Sequence, residues 1–258
     1  MSLMKGINRV QTGIKGLDKM LSGGLISERP YILSGPPGSG KTTLGMQFLL
    51  EGIKQGERVL FVALEEPVNE VKYNMTSLDL NLKGLDILDA NSDIRRYEPT
   101  PVMEISSKSK VQKMWDLPDT IRKTSRFKST VVSVHSLQNT LKQEFKRAGY
   151  KRIVIDSLTA LKYFCMVGEE DIYLQSFLRF LSESKVTSLL TVETPENYGL
   201  TPEIFLARGE IRLNKTWEKG QIKRWISVEK IRGSEHEEKV YPIEIRKGEG
   251  VVVLDKNI

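Results

Sequence analysis

One short segment early in the chain carries the residue types of a phosphate-binding loop. GPPGSGKT, from Gly35 to Thr42, fits the pattern G-x-x-x-x-G-K-[ST]. Glycines allow backbone N–H groups to curve around phosphate oxygens that side chains would otherwise keep away. An apolar strand pattern precedes the segment and an amphipathic helix pattern follows it, which is the context that this chemistry requires. The sequence therefore predicts a site for a nucleoside triphosphate.

Individual residues of this loop have predicted roles. The Lys41 ammonium is expected to reach the β- and γ-phosphates and to take part in catalysis, and the Thr42 hydroxyl is expected to bind Mg²⁺. The positive end of the helix that begins near Lys41 adds to the attraction for an anion. The residues predicted to bind the nucleotide here are Gly35, Pro36, Pro37, Gly38, Ser39, Gly40, Lys41, Thr42 and Thr43.

A second apolar run, RIVIDS, ends in an acidic residue, Asp156. Its carboxylate is suited to hold Mg²⁺ through the water ligands of the ion. An apolar run that ends in Asp is common by itself. This one lies on a later strand than the phosphate loop, as a doubly wound sheet requires. Thr42 and Asp156 are therefore the predicted metal-site residues.

The strand pattern VLFVALEEP, residues 59–67, ends in two adjacent carboxylates, Glu65 and Glu66. Like charges repel each other and are costly to dehydrate unless a positive group is near. The carboxyl ends of parallel strands lie together, so Lys41 and Mg²⁺ are expected to offset this repulsion. A carboxylate there could orient an attacking water and accept its proton. The alternative is an acidic pair that stabilises the helix after Pro67, and the residues alone leave both open.

The order of strand and helix patterns predicts the fold class. Strand patterns alternate with helix patterns from YILSG to TSLLTVE, and strand patterns separated by Gly-containing turns follow from Ile211. We therefore expect an α/β fold with a mostly parallel twisted sheet, flanked by helices and extended by antiparallel C-terminal strands. Residues 1–258 are expected to form a single domain. Trp217 and Trp225 fall in the hairpin region and are expected to pack there.

Charge is unevenly distributed along the 258 residues. The formal net charge is +6, from 39 basic and 33 acidic residues. Residues 92–135 have no clear periodicity and hold nine basic and five acidic residues, which is most of that surplus. A long irregular segment inside a compact domain is typical of a functional loop or of disorder. This basic insert makes nucleic acid a candidate partner.

Cysteine content and hydropathy bear on the compartment. Cys165 is the only cysteine, so an internal disulfide is excluded and a reducing, cytoplasmic setting is expected. No apolar stretch of the sequence reaches the length of a membrane span. Neither His135 nor His236 has metal-site spacing with Cys165, so Mg²⁺ is the one metal predicted.

Taken together, the motifs resemble the KaiC family of RecA-like ATPases. The matching segments occur in the order found in that family and cover residues 10–92 and 136–254: TGIKGLDKMLSGGL, SGPPGSGKTTLGMQFLLEG, ALEEP, VIDSLTAL, TVETPENYG and VEKIRGSEHEEKVYPIEI. The resemblance implies a RecA-type core that binds ATP and Mg²⁺. It also implies a homo-oligomer with ATP between neighbouring subunits, for which a hexameric ring is one candidate. In this family the paired glutamates are catalytic, so Glu65 and Glu66 inherit that role.

The same resemblance gives a role to the segment ISVEKIRGSEH. Strand alternation places Lys230 and Arg232 on one face, and two adjacent cations repel each other unless an anion lies between them. The resemblance implies that this anion is the γ-phosphate bound by the adjacent subunit, with Ser234 and His236 reaching the same nucleotide. The alternative is a basic edge strand that discourages aggregation.

Three functions remain open at this stage. The first is a KaiC-like ATPase that hydrolyses ATP slowly at subunit interfaces and regulates an unidentified protein partner. The second is a DNA-binding accessory similar to the archaeal RadA paralogues, although TPENYGLTPEIFLA, where RecA-type proteins contact DNA, contains no Lys or Arg. The third is a nucleotide-dependent scaffold with negligible hydrolysis, which the intact loop and paired glutamates disfavour. The resemblance does not extend to autokinase or clock activity, since no matching Ser/Thr pair is found.

Overall fold

The computed structural model describes residues 8–90, 134–162, 170–195 and 201–254. Within these ranges the chain forms a nine-stranded sheet and a separate two-stranded sheet. Helices cover both faces of the larger sheet. The strands are β1 (Arg9–Val10), β2 (Leu25–Ile26), β3 (Pro30–Gly35), β4 (Val59–Ala63), β5 (Asp86–Asp89), β6 (Arg152–Asp156), β7 (Thr187–Glu193), β8 (Gly209–Glu218), β9 (Gln221–Ile231), β10 (Tyr241–Arg246) and β11 (Gly250–Val253). The helices are α1 (Lys15–Met20), α2 (Lys41–Lys54), α3 (Val68–Ser77), α4 (Val134–Ala148), α5 (Leu158–Lys162), α6 (Glu170–Glu183) and α7 (Pro202–Leu206).

The strand order of the large sheet is β11-β10-β9-β8-β3-β7-β6-β4-β5. The strands from β8 to β5 in this order run parallel to one another, and β9, β10 and β11 are added antiparallel at the other side. The predicted α/β class, with antiparallel C-terminal strands, is confirmed. Because parallel strands end at a common edge, the chain segments that leave β3, β4, β6 and β7 start beside one another.

Each face of the sheet buries its own apolar cluster. Helices α1, α2 and α3 cover one face, where Leu44 and Phe48 of α2 pack fully buried against the sheet. Helices α4 to α7 cover the other face, through side chains such as Leu141 and Phe177. The strands between them are apolar at consecutive positions, as expected for a sheet that is buried on both faces. This two-sided burial holds the common edge of the strands in place.

Several local features differ from the sequence-based expectations. Helices α5 and α7 have five residues each, too few to show a helical period, and were not predicted. Residues 134 and 135 belong to helix α4, whereas the remainder of the basic insert lies outside the described residues. The prediction that Trp217 packs is wrong, because this side chain at the tip of the β8–β9 hairpin is 71% exposed. No helix in the described ranges combines the length and apolarity needed to cross a bilayer.

A buried guanidinium fastens the sheet at the end opposite the common edge. Arg152, at the start of β6, is completely buried. It donates to Glu57 Oε2 at 2.5 Å and to the carbonyls of Gln11 and Phe48 at 2.6 and 3.0 Å. The guanidinium also lies 5.0 Å from the centre of the Phe48 ring. One side chain therefore joins β6 to α2, to the segment that follows α2 and to the N-terminal segment.

We expect Arg152→Met to lower the free energy of unfolding by about 3 kcal/mol, since removal of one partner of a buried ion pair typically costs about 3–5 kcal/mol. Urea denaturation measures this change. The matched control is Arg179→Met, which removes the exposed Arg179–Glu183 pair on α6 and should change stability by less than about 0.5 kcal/mol. Equal effects of the two substitutions would contradict the role assigned to Arg152.

Candidate nucleotide site

The loop between β3 and α2 has a backbone shape that depends on glycine, since three of its glycines have a positive φ. Gly35 has a φ of +152°, and a Cβ there would lie 2.4 Å from the carbonyl oxygen of Leu213. Gly40, which precedes the first residue of α2, has a φ of +106°. Both conformations are costly for residues with a side chain. The loop therefore folds tightly against β8 before α2 begins.

The outward carbonyls of this loop are held by cations of the β8–β9 hairpin. Lys215 Nζ donates to the Pro37 oxygen at 2.6 Å, and Arg224 Nε donates to the Gly38 oxygen at 3.1 Å. The first N–H groups of α2 have no acceptor within the helix because of helix geometry. The loop thus presents backbone donors, with its carbonyls engaged elsewhere. These two contacts were not predicted, since nothing in the hairpin pattern marks Lys215 or Arg224 as neighbours of the loop.

The loop also contains an orphaned polar atom. Ser39 is fully buried, and its hydroxyl has no hydrogen-bond partner among the described residues. Thr43, which follows in α2, is buried as well. A phosphate group accepts hydrogen bonds, and this loop offers donors for them: the first N–H groups of α2 and the unsatisfied Ser39 hydroxyl. The glycines leave space for the phosphate beside these donors. The residues present fit a nucleoside triphosphate.

Lys41 is buried and folded back onto its own loop. Its ammonium donates to the carbonyls of Gly35 and Pro36 at 2.9 and 3.1 Å and lies 3.6 Å from Glu193 Oε1. Burial lowers the pKa of Lys41, while the Glu193 carboxylate acts in the opposite direction. Glu193 was not predicted as a site residue. The sequence feature that could have indicated it is its position as the last residue of a buried strand, TSLLTVE.

A carboxylate and two hydroxyls form the oxygen-rich part of the site. Thr42 Oγ1 donates to Asp156 Oδ2 at 2.7 Å, and Thr191 Oγ1 donates to Asp156 Oδ1. Burial raises the pKa of Asp156, and these two hydrogen bonds oppose that change. Hydroxyl and carboxylate oxygens are the ligands that Mg²⁺ prefers. The structure therefore brings the predicted metal-site residues Thr42 and Asp156 together, and their chemistry fits this ion.

The two glutamates at the end of β4 have different surroundings. The Glu65 N–H donates to the Asp156 carbonyl at 3.2 Å, and the Glu65 charge acts on Lys41. Glu66 accepts a hydrogen bond from Asn74 Nδ2 of α3 at 3.3 Å. Burial raises the pKa of Glu66, and the nearby Asp156 adds to the increase. Both carboxylates thus belong to the strand edge that holds the phosphate loop.

Lys230 and Arg232 lie far from this edge. In the register of the sheet, Lys230 of β9 pairs with Glu210 of β8, and Glu210 pairs with Ile32 in the middle of β3. The Arg232 N–H donates to the Arg208 carbonyl, and the Arg208 N–H donates to the Pro30 carbonyl at the start of β3. Arg232 is therefore level with a residue five positions before Gly35, or about 17 Å along the strand.

Within a single chain, the Lys230 and Arg232 side chains bond to backbone carbonyls. An anion had been expected between these two cations. Lys230 Nζ donates to the Ile204 oxygen at 2.5 Å, and Arg232 Nη2 donates to the Phe205 oxygen at 2.8 Å. Ser234, in the following loop, accepts from Arg9 Nη2 at 2.7 Å. His236 is half-buried in the same loop. Lys230, Arg232, Ser234 and His236 thus share one region, which does not face the phosphate loop of their own chain.

Known proteins share both the sequence and the fold described above. The family model described as the ATPase KaiC matches residues 10–258. A UPF0273 protein of Thermotoga maritima is 31% identical over 96% of each chain. The circadian clock oscillator protein KaiC of Parathermosynechococcus lividus is 30% identical over 95% of this chain, which spans 42% of that protein. The crystal structure of a KaiC-like protein from Pyrococcus horikoshii has a TM-score of 0.75 and 26% identity, and the match covers 96% of this chain and 100% of that one.

The family model extends over almost the whole described chain, and the RecA-type fold agrees with that of a KaiC-like structure. This protein therefore belongs to the KaiC family of ATPases.

Proposed function

We propose that this chain binds ATP with Mg²⁺ at the loop Gly35–Thr43 and hydrolyses it at an interface between two copies of the chain. The observation that carries this proposal is the sheet register, in which Arg232 is level with the start of β3 and Lys230 with its middle, away from the phosphate loop that follows β3. Two cations that are needed at the phosphate but cannot reach it within one chain can act on the phosphate of a neighbour. Such a cation supplied in trans raises hydrolysis by roughly 10³-fold or more in other nucleotidases.

Binding would exchange the partners of Lys41. Its ammonium now bonds to two carbonyls and lies near Glu193. The phosphates offer stronger, charge-assisted hydrogen bonds to the same ammonium. The loop N–H groups and the helix end would hold the remaining phosphate oxygens. Mg²⁺, held by Thr42 and Asp156, would neutralise charge on the phosphates.

Glu65 and Glu66 are the proposed catalytic carboxylates. Both follow β4 at the edge where Lys41 and Asp156 lie, and Glu66 has a raised pKa, which suits a proton acceptor. Either residue could orient the attacking water toward the γ-phosphate, and Glu66 would take the proton from it. Glu66 also accepts a hydrogen bond from Asn74, in the second half of α3.

The assembly that follows is a homo-oligomer in which each subunit contributes its strand edge to one neighbour and its Lys230 region to another. Such a head-to-tail interface closes into a ring when the rotation between subunits permits it. We propose a cytoplasmic oligomer whose nucleotide state regulates a protein partner. No contact in the described residues favours the alternative of a DNA-binding accessory, because the basic insert lies almost entirely outside them.

Lys41→Ala should weaken binding of Mg²⁺ with a non-hydrolysable ATP analogue by at least about 100-fold, since the charge-assisted bonds to the phosphates are lost. Isothermal titration calorimetry measures the affinity. Lys54→Ala, at the exposed end of the same helix, is the matched control and should leave the affinity unchanged. Retained affinity in Lys41→Ala would overturn the phosphate site.

The pKa of Glu66 predicts the acid side of the pH–rate profile. Protonated Glu66 cannot accept a proton, so kcat/KM should fall as the pH is lowered through a pKa that lies above the ordinary value of 4.5. The hydrogen bond from Asn74 lowers this pKa, so Asn74→Ala should move the acid limb to higher pH. Ser77→Ala, on the same helix, is the control. An acid limb that stays in place or moves to lower pH in Asn74→Ala would contradict the assignment.

Mixing experiments test action between subunits. We expect two double variants to lose most hydrolysis: Glu65→Gln/Glu66→Gln and Lys230→Ala/Arg232→Ala. A mixture of the two should recover activity, because the first still supplies the cations and the second still supplies the carboxylates. The rate per subunit should also rise with protein concentration below the dissociation constant of the oligomer. If no mixing ratio restores activity although subunits exchange, the shared site is wrong.

A further inference from the structure

The cations proposed to act in trans are themselves held by one short helix, α7 (Pro202–Leu206). Lys230 donates to the Ile204 carbonyl, and its ammonium also lies 3.4 Å from the Phe205 carbonyl. Arg232 donates to the Phe205 carbonyl, and its guanidinium lies 5.7 Å from the centre of the exposed Phe205 ring. The carbonyl end of a helix attracts cations. The positions of both cations therefore depend on where α7 lies.

Helix α7 has five residues, so it cannot hold its place by helical hydrogen bonds alone. Isolated helices shorter than about 12 residues are marginal in water and need tertiary contacts. The contacts that anchor α7 include the buried side chain of Ile204 and that of Glu203, which is 1% exposed. Glu203 Oε1 pairs with Lys162 Nζ at 2.7 Å, whereas Glu203 Oε2 is buried with no hydrogen-bond partner among the described residues. A buried carboxylate is costly unless it is paired.

The partner in this ion pair, Lys162, is the last residue of α5 (Leu158–Lys162). Helix α5 begins two residues after Asp156, the carboxylate that binds the Thr42 hydroxyl. The hydroxyl of Thr159, also on α5, accepts the N–H of Glu193 at 2.8 Å. Helix α5 is therefore tied at one end to the candidate nucleotide site and at the other end to α7.

We propose that the Lys162–Glu203 ion pair is a positioning device for the reaction: it fixes α7 against α5 and thereby orients Lys230 and Arg232 toward the nucleotide of the neighbouring subunit. This inference rests on the proposed function, since it assumes that the two cations act in trans. Glu203 and Lys162 touch neither the phosphate loop nor the catalytic carboxylates in the described structure. Their effect on hydrolysis is exerted through the carbonyls of Ile204 and Phe205.

The charges around α7 support this role. The pKa of Lys230 is lowered by burial first and by the Arg232 charge second, while Glu210 acts in the opposite direction. Two cations that repel each other keep a common orientation only while the carbonyls between them stay in place. If Glu203 lost its charge, α7 would lose its ionic anchor, and the cations would be free to separate into solvent. Misplacement of a catalytic group by about 1 Å can cost up to about 100-fold in rate.

The test uses Glu203→Gln in the full chain. We expect kcat to fall by about 10- to 100-fold, with the affinity for Mg²⁺ and the non-hydrolysable ATP analogue unchanged within twofold. The matched control is Glu183→Gln, which breaks the exposed pair with Arg179 on α6 and should leave kcat unchanged. A wild-type kcat in Glu203→Gln, or an equal loss in both variants, would overturn the proposal.

A second pair of substitutions covers the case in which Glu203→Gln does not fold. Lys162 is partly exposed, so Lys162→Arg and Lys162→Gln are better tolerated. Lys162→Arg keeps the ion pair and should retain kcat, whereas Lys162→Gln should lose it in the same proportion as Glu203→Gln. Equal kcat values in Lys162→Arg and Lys162→Gln would show that the ion pair does not position the cations.

Mixing separates failure of this inference from failure of the proposed function. Glu203→Gln mixed with Glu65→Gln/Glu66→Gln should recover activity, since the second variant has intact cations and the first has an intact nucleotide site. If this mixture stays inactive while Lys230→Ala/Arg232→Ala is rescued by the same partner, the positioning role of Glu203 is wrong. If neither mixture recovers, the shared site itself is wrong.

Discussion

The structure depends on one electrostatic constraint at the shared edge of the parallel strands. Asp156, Glu65, Glu66 and Glu193 follow or end three of these strands, and Lys41 is the one ammonium of the described residues that the structure places among them. The edge carries more negative than positive charge before any phosphate arrives. Burial is the main cause of the raised pKa values of Asp156 and Glu66, and a neighbouring carboxylate adds to each increase. A triphosphate adds further negative charge, so cations must come from outside the edge. Mg²⁺ supplies part of that charge, and the register of β8 and β9 shows why Lys230 and Arg232 of the same chain cannot supply the rest.

The same register makes the two halves of the proposed interface complementary. One side offers clustered carboxylates and a phosphate loop, and the other offers two cations supported by α7. These surfaces are different parts of one subunit, so the proposed contact joins unlike surfaces of two copies. Such a head-to-tail contact would leave one surface of each kind unused at the ends of any open chain of subunits. Closure into a ring removes these ends, which is the physical reason for expecting a closed assembly.

Candidate site residues could be predicted from the sequence where chemistry and local pattern coincide. The loop GPPGSGKT is recognisable because its glycines, lysine and threonine occur between a strand pattern and a helix pattern. Asp156 could be predicted because it is the acidic residue that ends an apolar strand pattern. The structure places Thr42 and Asp156 within a hydrogen bond of each other, as a shared metal site requires. Reasoning failed where a contact depends on the three-dimensional register. Lys215 and Arg224 reach loop carbonyls from a hairpin that is distant in sequence. Glu193 ends an ordinary buried strand, and Trp217 is exposed because the hairpin extends beyond the packed part of the sheet. Helices α5 and α7 are too short to leave a periodic signal.

These two short helices account for how a nucleotide site and a distant pair of cations can belong to one mechanism. Asp156 leads directly into α5, and Thr159 of α5 holds the backbone of Glu193, the residue that lies near Lys41 in the structure. When a phosphate takes Lys41 away from Glu193, the carboxylate loses a favourable partner while the hydrogen bond of its N–H to α5 remains. In the proposed assembly an adjustment of β7 would pass to α5 and, through the Lys162–Glu203 pair, to α7 and its two cations. Nucleotide binding to one subunit would thereby also change the positions of the Lys230 and Arg232 side chains that this subunit offers to its neighbour. In a ring, nucleotide bound at one site would therefore affect the cations at the next site. The connection between the two sites would involve only a few side chains.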